Sequence, residues 1–505
     1  MPKKTTKKAE EPKKRPIQKI VAWSFVGISL MLSGWLIISL IRLNILPNRI
    51  FIPIAIILIV LNFIALGLAF SKKKASLIIS TVLSVALIGA GAFAGLKIND
   101  TISFLDTNFG QAKATTAYNI VVTTNSVYDE NSDLSGKEIF TLRDLVADLN
   151  KIKNGIKDNT GAVVSFVENL PELLGSVKDN NEKIAAVNAG SFEAFLIDNE
   201  DYQDKLRIIK TIKIDDKKDS EVLAGNILDK PFAIYLSGID TRSNSLPDRS
   251  LSDVNIVAAI DPVLKKILLV SIPRDYYVYI HGTAGTGYRD KLTHAGSIGG
   301  VELSKATIED LLGISIPYYM RVNFNFISKL VDAIGGVEVN SDVDYSFKCG
   351  DKKECTINPG SNYLMGKCAL AFARERHSYA SGDRHRGENQ EQLISVIMKK
   401  VSSSATLLTN YSEILNSLSG TFETNLSTDN ITSFVKAQLD NMSPWTTETS
   451  NLDGYGGMEL TYSYRAQRLY VMHPNEATVT TAKEKLSKFL TVPEPPKEEL
   501  VETEE

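Results

Sequence analysis

The sequence predicts an α/β protein: a central mixed sheet between helical layers, preceded by a small α/β accessory domain and three N-terminal transmembrane helices. Three observations lead there. Long charge-free apolar runs fill the N-terminal part, and strand-like and helix-like patterns alternate after them. Strands such as ILLVSI (Ile267 to Ile272) are also apolar almost without interruption, as a sheet covered on both faces requires. At 505 residues the chain exceeds one core, so two or three folded units are expected.

The membrane segments come first. Ile20 to Ile41, Phe51 to Phe70 and Ser76 to Leu96 contain no Asp, Glu, Lys or Arg. Each approaches the ~20 apolar residues that cross a bilayer as a helix. The first is too long for the apolar core of a cleaved signal peptide, and two more spans follow it. Lys13, Lys14, Arg15 and Lys19 precede the first span and Lys72, Lys73 and Lys74 join the second to the third, whereas the first connection carries Arg42 and Arg49. The positive-inside rule then makes residues 1–19 a cytoplasmic basic tail and residues 20–96 the membrane anchor. Everything from Asn99 onward falls outside the cell, away from nucleotides and DNA. A net charge of −3 also argues against a broadly basic nucleic-acid binder. Gly89, Gly91 and Gly95 leave room for close helix packing in the third span.

Residues 99–230 form one compositional block, the expected accessory domain. AYNIVVTTNSVY predicts a strand, and TLRDLVADLNKIKNGI and AVVSFVENLPELLGSV predict helices. In the latter, Val164, Phe166, Val167, Leu170, Leu173 and Leu174 recur at three- and four-residue steps. KLRIIKTIKID closes the block as a strand. Residues 231–490 then alternate. Strands are expected at Ala233 to Gly238, Asn255 to Ile260, Lys266 to Ile272, Tyr318 to Val322, Val337 to Asn340, Glu459 to Tyr464 and Gln467 to Met472. Helices are expected at Val301 to Leu312, Phe326 to Ile334, Gly366 to Arg376, Asn389 to Ser402 and Thr480 to Phe489. Gly335 and Gly336 read as a helix stop. The acidic, Pro-rich residues 491–505 read as a disordered tail.

The residues that carry chemistry concentrate after Pro231. Asp240 and Asp253 lie at strand boundaries, where a carboxylate can face a cleft. Two carboxylates and a diphosphate suit magnesium, a hard cation; turn and strand capping is the alternative. Arg249, Arg274, Arg374, Arg376, Arg384 and Arg386 fall in four short stretches that also carry Asp or Glu. Guanidinium groups bind phosphate oxygens in pairs and keep their charge. Ion pairing and the helix dipole are the alternative for Arg374 and Arg376. Six arginines gathered in a slightly negative chain point to an anion site. Cys349 and Cys355 bracket GDKKE; in an oxidising exterior they would pair and leave Cys368 free, with three unpaired thiols as the other reading.

Seven segments occur in order: SGIDTR, RSLSDVNIVAAID, LLVSIPRD, YRDKLTHA, IGGVEVN, LMGKCALAFARERH and GDRHRGENQEQLI. In spelling and order, over roughly Pro231 to Lys400, they resemble the LytR-CpsA-Psr family. Three spans followed by an accessory domain look most like its streptococcal capsule-type members. The resemblance implies a magnesium-dependent phosphotransferase, over residues 231–490, that moves a glycopolymer from a polyprenyl-diphosphate carrier to peptidoglycan. For the capsule-type members the polymer is capsular polysaccharide. It implies that Asp240 and Asp253 hold Mg2+, and that Arg249, Arg274, Arg374, Arg376, Arg386 and Gln390 contact the diphosphate, with Lys291 near the head group. Where family members often carry Arg before the Gln, this chain has Asn389.

The attacking group implied is the C6 hydroxyl of N-acetylmuramic acid. Arg274 is the expected catalytic cation, because charge on phosphate oxygens dominates such a transition state. Asp275 is a candidate general base, with an ion pair to a neighbouring arginine as its other role. The family's lipid tail lies in an apolar tunnel, for which Leu311, Leu312, Ile327, Leu330, Ile334, Leu393, Ile394 and Ile397 are candidates alongside ordinary core packing. Two rival classes use the same residues differently or not at all. One is a polyprenyl-diphosphate phosphatase with water as nucleophile. The other is a non-enzymatic membrane regulator of capsule expression, resting on the basic N-terminus alone.

Overall fold

The computed structural model describes residues 17–109, 115–215, 227–239, 241, 246–348, 354–379, 382–402 and 411–491. Asp240, Cys349 and most of both expected tails lie outside the described residues. The chain divides into two compact units: one runs to Leu105 and takes in Thr432–Asn441, and the other holds the rest from Asp106.

In the first unit, helices Ile17–Leu43, Asn48–Ala69 and Lys74–Asn108 are long and apolar enough to cross a membrane. The third continues past the expected end at Leu96. Large apolar side chains such as Ile57, Phe63, Val82 and Phe93 are exposed, whereas small and hydroxylic residues are buried between helices. Ser29 Oγ donates to Asn62 Oδ1 at 2.9 Å, Asn62 Nδ2 donates to Ser33 Oγ at 2.9 Å, and Ser80 Oγ donates to the Ala65 carbonyl at 2.7 Å. Polar groups bonded to one another inside the bundle, as these three contacts are, with apolar ones outside, suit a hydrocarbon surround. Gly91 and Gly95 face Leu32 and Trp35 of the first helix so closely that a side chain at Gly95 would overlap the indole. Gly89 has nothing within 4 Å and makes no such contact.

The second unit contains two large sheets and, among the described residues, four two-stranded ones. The N-terminal sheet has five strands in the order Val163–Val167, Glu138–Leu142, Ile184–Asn188, Thr115–Thr123 and Leu206–Asp215. Alternation along Thr115–Thr123 sends Ile120 and Val122 into a core with Ile139, Ile152 and Ile156, and Val121 into another with Leu173, Leu174, Phe192 and Phe195. Helices therefore cover both faces. Val164, Phe166 and Val167, expected in a helix, belong to a strand instead. Branched Val163, Val164 and Val167 suit the pleat, and the helix begins only at Leu170. There the Asn169 side chain caps it by accepting from Glu172 N at 2.9 Å, and Pro171 occupies its first turn.

The central sheet has six strands in the order Phe422–Thr424, Tyr318–Asn323, Phe232–Ile239, Ser252–Asp261, Lys266–Ile272 and Thr446–Asn451. It is mixed: Tyr318–Asn323 runs parallel to Phe232–Ile239 and Thr446–Asn451 parallel to Lys266–Ile272, while the other pairs are antiparallel. One face packs Tyr235, Val257 and Val270 against Val301, Ile308 and Leu312 of helix Leu292–Leu312 and Val479, Ala482 and Leu486 of helix Glu476–Leu490. Leu311 and Leu312, candidates for a lipid tunnel, belong to this core. A terminal two-stranded ribbon, Gly454–Leu460 with Arg468–Pro474, starts earlier than the sequence suggests.

The cysteine pairing differs from expectation. Cys355 is bonded to Cys368, with Cα atoms 5.7 Å apart, so Cys368 is not the free thiol. The bond ties strand Glu354–Ile357 to helix Gly366–Arg374, a pairing made by tertiary packing that loop spacing alone does not reveal. The two large sheets lie in one compact unit, joined by buried polar contacts. Asn188 Nδ2 donates to Asp248 Oδ2 at 2.8 Å, Ser191 Oγ to the Ser297 carbonyl at 2.6 Å, and Asn169 Nδ2 to the Ser463 carbonyl at 2.7 Å.

Candidate active site

The central sheet builds the site at one end of its strands. In the antiparallel pairing of Ser252–Asp261 with Lys266–Ile272, Asn255 faces Ile272. Continuing that register two residues brings Asp253 opposite Arg274, and Arg274 NH1 meets Asp253 Oδ1 at 2.7 Å. Both line a cleft of about 460 Å3 whose wall also includes Phe324, Phe347, Arg374, Glu375, Arg376, His377, Arg386 and Gln390. A narrow extension adds Asn255, Ser271, Arg384, Gly387 and Asn451.

The second wall comes from helix Asp383–Val401. Its first turns carry Arg384, Arg386 and Gln390, the last two one turn apart on the same face. A side chain at Gly387 would lie 2.9 Å from Ser271 Oγ, so glycine lets the helix start close against the sheet. A helix N-terminus presents free N–H groups and a positive dipole end, which adds to the arginines in favouring an anion. The third wall is the end of helix Gly366–Arg374. Arg374 lies over the Phe324 ring at 4.0 Å, and Glu375 Oε1 accepts from His377 N at 2.6 Å and Ser378 N at 2.9 Å, which shapes the ARERH turn. Asn389, in the place of a family arginine, is buried and donates to the Phe372 carbonyl at 3.2 Å, tying these two helices together. Gln390 Nε2 does the same at the Ala373 carbonyl, also at 3.2 Å.

Asp253, Arg274, Arg374, Arg376, Arg386 and Gln390 are thus brought together. Asp275 and Lys291 are placed behind Arg274: Lys291 Nζ lies 3.1 Å from Asp275 Oδ1, and Asp275 Oδ2 lies 3.6 Å from Arg274 Nε. That is the ion-pairing arrangement for Asp275, and neither residue is among those lining the cleft. Arg249 is the plain departure. Its guanidinium is buried, hydrogen-bonded to Asp144 of the N-terminal sheet's loops and to the Ile298 carbonyl. It lies before the strand start at Ser252, where the chain turns toward that sheet and away from the cleft. Burial pushes the Asp144 carboxyl up, but the charge of Arg249 and backbone donors from Ala147 and Val146 outweigh it and hold it below the usual range.

Arg384, one of the six arginines of the expected anion site, lines the extension of the cleft. Two groups escaped the sequence reading. Glu391 is buried behind Gln390, and burial pushes its carboxyl up to about 8 against donation from Ser271 N and Asn451. With the Asn451 amide nitrogen turned toward it, as the surrounding hydrogen bonds require, that nitrogen lies 3.1 and 2.9 Å from the two carboxyl oxygens. Asp290 and His294 of RDKLTHA form a buried pair at 2.6 Å, with Asp198 3.5 Å from the other imidazole nitrogen and Ser463 N donating to Asp290 at 2.8 Å. Burial pulls the His294 pKa down, but Asp290 and Asp198 raise it to about 9. This cluster joins the N-terminal sheet, the helix Leu292–Leu312 and the loop before the last strand.

Residues 200–485 match the model of the LytR_cpsA_psr family, more than half of the chain, and the chain belongs to that family. The polyisoprenyl-teichoic acid–peptidoglycan teichoic acid transferase TagU of Enterococcus faecalis is 36% identical over 253 residues, 50% of this chain and 79% of that protein. Its namesake from Bacillus cereus is 36% identical over 200 residues, 40% of this chain and 62% of that protein, so the chain spans less than two thirds of that relative. Among solved structures, Bacillus subtilis TagV is 26% identical with a TM-score of 0.44, covering 52% of this chain and 97% of that one. Protein gbs0355 from Streptococcus agalactiae is 26% identical with a TM-score of 0.43, covering 52% and 88%.

Proposed function

We propose that this chain is a membrane-anchored, extracellular phosphotransferase that moves a glycopolymer from a polyprenyl-diphosphate carrier to peptidoglycan. The observation that carries the reading is the cleft itself, where four arginines and Gln390 converge on Asp253 in a member of this family. The activity for which the Enterococcus relative is named, teichoic acid transfer to peptidoglycan, supports the same reaction class. The three apolar helices support anchoring, and the cation bias of their flanks supports an outward-facing second unit. The Cys355–Cys368 bond fits an oxidising exterior. Capsular polysaccharide is the polymer we assign, on the three-span, accessory-domain organisation.

In the proposed reaction an acceptor hydroxyl of peptidoglycan attacks the sugar-side phosphorus. The new P–O bond forms as the bond to polyprenyl phosphate breaks, and the hydroxyl proton leaves for a cleft acceptor. Asp253, Glu375 and His377 are such acceptors among the described lining residues. Arg274, Arg374, Arg376 and Arg386 offset charge on the phosphate oxygens, and Arg274 is oriented for this by Asp253 on one side and Asp275 on the other. Lys291 neutralises Asp275, which keeps that carboxylate from cancelling Arg274. Asp253 offers a hard oxygen donor on the cleft wall and so fits magnesium, with Asp240 as its proposed partner ligand. When bound, the ion supplies further neutralisation of the diphosphate.

Purified full-length protein, given lipid-linked polymer and peptidoglycan, should yield polymer joined to peptidoglycan through a phosphodiester. Release of polymer phosphate into water without attachment would favour the phosphatase reading. For topology, a membrane-impermeant thiol reagent applied to intact cells should reach Asp158→Cys and not Lys73→Cys. The reverse pattern would overturn the outward orientation.

A further inference from the structure

The terminal ribbon, Gly454–Leu460 paired with Arg468–Pro474, carries an aromatic surface that the diphosphate cleft does not use. Tyr455 is 66% exposed although its ring stacks on His473, with centroids 5.0 Å apart and planes 17° apart. Tyr277 meets the same imidazole edge-on at 5.4 Å, and Glu459 Oε1 holds its Nε2 at 3.3 Å. The rings lie flat because two glycines clear the way. A side chain at Gly457 would sit 2.7 Å from His473 Nε2, and one at Gly456 2.9 Å from the Tyr470 ring. Tyr470 itself is 49% exposed on the ribbon's other face. Flat, fixed and exposed aromatic faces are what the C–H side of a sugar ring packs against, because the negative π face meets weakly positive C–H groups.

The ribbon also starts at the rim of the cleft. Asn451 and Leu452 line the cleft extension, and Arg384 of the same lining pairs with Asp453 at 3.6 Å. Met472 N donates to the Asp275 carbonyl at 2.7 Å, and Tyr276 OH donates to the Asp453 carbonyl at 2.6 Å, which fixes the ribbon to the strand end bearing Arg274. Tyr455 is three steps along the chain from Leu452, about 10 Å if extended. A glycan lying on Tyr455 would therefore deliver a neighbouring sugar to the cleft mouth. Position and charge separate the two glycans of the reaction. The cationic cleft takes the donor's diphosphate, while beside Tyr455 the carboxylates of Asp453 and Glu459 offset Arg384 and Arg468, so that face has no excess of cations to draw an anionic polymer.

We infer that the Tyr455–His473 face binds the acceptor, a glycan strand of N-acetylated amino sugars, and holds it in register with the cleft. This deepens the transferase reading and rests on it for the word acceptor; the binding itself does not need the reaction. The test uses the full chain in detergent, titrated with a soluble hexamer of N-acetylglucosamine as the probe and no donor present. Tyr455→Ala should weaken hexamer binding by about fivefold or more, the loss expected for one aromatic contact. Tyr455→Phe, which keeps the ring, should bind within about twofold of the parent. In the transfer assay Tyr455→Ala should raise the KM for peptidoglycan with kcat little changed. The inference is overturned if the parent does not bind the hexamer, or if Tyr455→Ala binds it as the parent does. It also fails if Tyr455→Ala instead loses affinity for an anionic polyol-phosphate polymer. A parent that binds the hexamer through Tyr455 yet transfers nothing would keep this site and sink the transferase reading alone.

Discussion

Replacing Arg249 with alanine discriminates a buried structural arginine from a diphosphate ligand. The Arg249 and Asp144 side chains are 10% and 3% exposed, and the pair joins the central sheet's approach to the N-terminal sheet. Removing one partner of a buried ion pair costs about 3–5 kcal/mol, mostly because the other charge stays buried. Asp144 would keep backbone donors from Val146 at 2.8 Å and Ala147 at 2.9 Å, so the lower end is expected, about 3 kcal/mol. At 2–4 °C per kcal/mol for domains of 150–250 residues, the melting temperature falls by roughly 6–12 °C, and somewhat less in this larger unit. The assay is thermal unfolding of the full chain in detergent, with donor binding measured well below the transition. Adding Asp144→Asn should recover part of the loss, because no charge is then left alone. An Arg249→Ala protein that melts like the parent but no longer binds the lipid diphosphate would refute the structural assignment.

Two further predictions concern buried titrating groups. Glu391→Gln should stabilise the protein: a folded pKa near 8 against an ordinary 4.5 means that stability is lost as pH rises from 4.5 to 8. The gain should be near zero at pH 4.5 and reach on the order of a few kcal/mol at pH 8, read from paired denaturant titrations. A gain that does not change with pH would contradict the buried neutral carboxyl. For His294 the sign is the same, although here it is the charged form that the fold favours. Its folded pKa of about 9 lies above the ordinary 6.5, so its contribution is complete below pH 6.5 and is lost as pH rises toward 9. The parent should lose up to about 3 kcal/mol over that window and His294→Gln much less, measured by the same titrations. Equal slopes in both proteins would remove His294 from the pairing with Asp290.

Much of the site was legible because strand ends and family spelling carry it locally. LLVSIPRD is an apolar strand followed by a proline, so Arg274 had to fall at a strand end, and the hairpin register then brings it to Asp253. Arg374 lies at the end of a helix whose apolar periodicity was plain, whereas the helix bearing Arg386 and Gln390 starts at Asp383, six residues before the expected Asn389, because its polar first turns carry no apolar signal. Arg249 is placed away from the cleft for a reason the sequence does not display. Its neighbours resemble a phosphate motif, but its partner, Asp144, is 105 residues away in sequence, and no local pattern announces that contact. The disulfide shows the same limit: Cys349 and Cys355 are closer in sequence, but Cys355 and Cys368 are brought together by packing. Strand Val163–Val167 was misread because its apolar residues continue into a real helix without a change of composition, and only Asn169 and Pro171 mark the joint. Strand Thr446–Asn451 has no apolar signal at all; its place is made by pairing with Lys266–Ile272.

The most direct measurement of the central claim is polymer attachment by Arg274→Ala, with melting temperature and donor binding taken on the same preparation. Arg274 touches Asp253, lines the cleft and is backed by Asp275. Loss of an arginine that stabilises the transition state of phosphoryl transfer costs on the order of a thousandfold or more in rate. Arg274→Lys should also be severely impaired, because the ammonium lacks the planar fork. The account predicts a folded protein that still binds the lipid-linked polymer and attaches almost none of it to peptidoglycan. Attachment near the parent's rate by Arg274→Ala would contradict it.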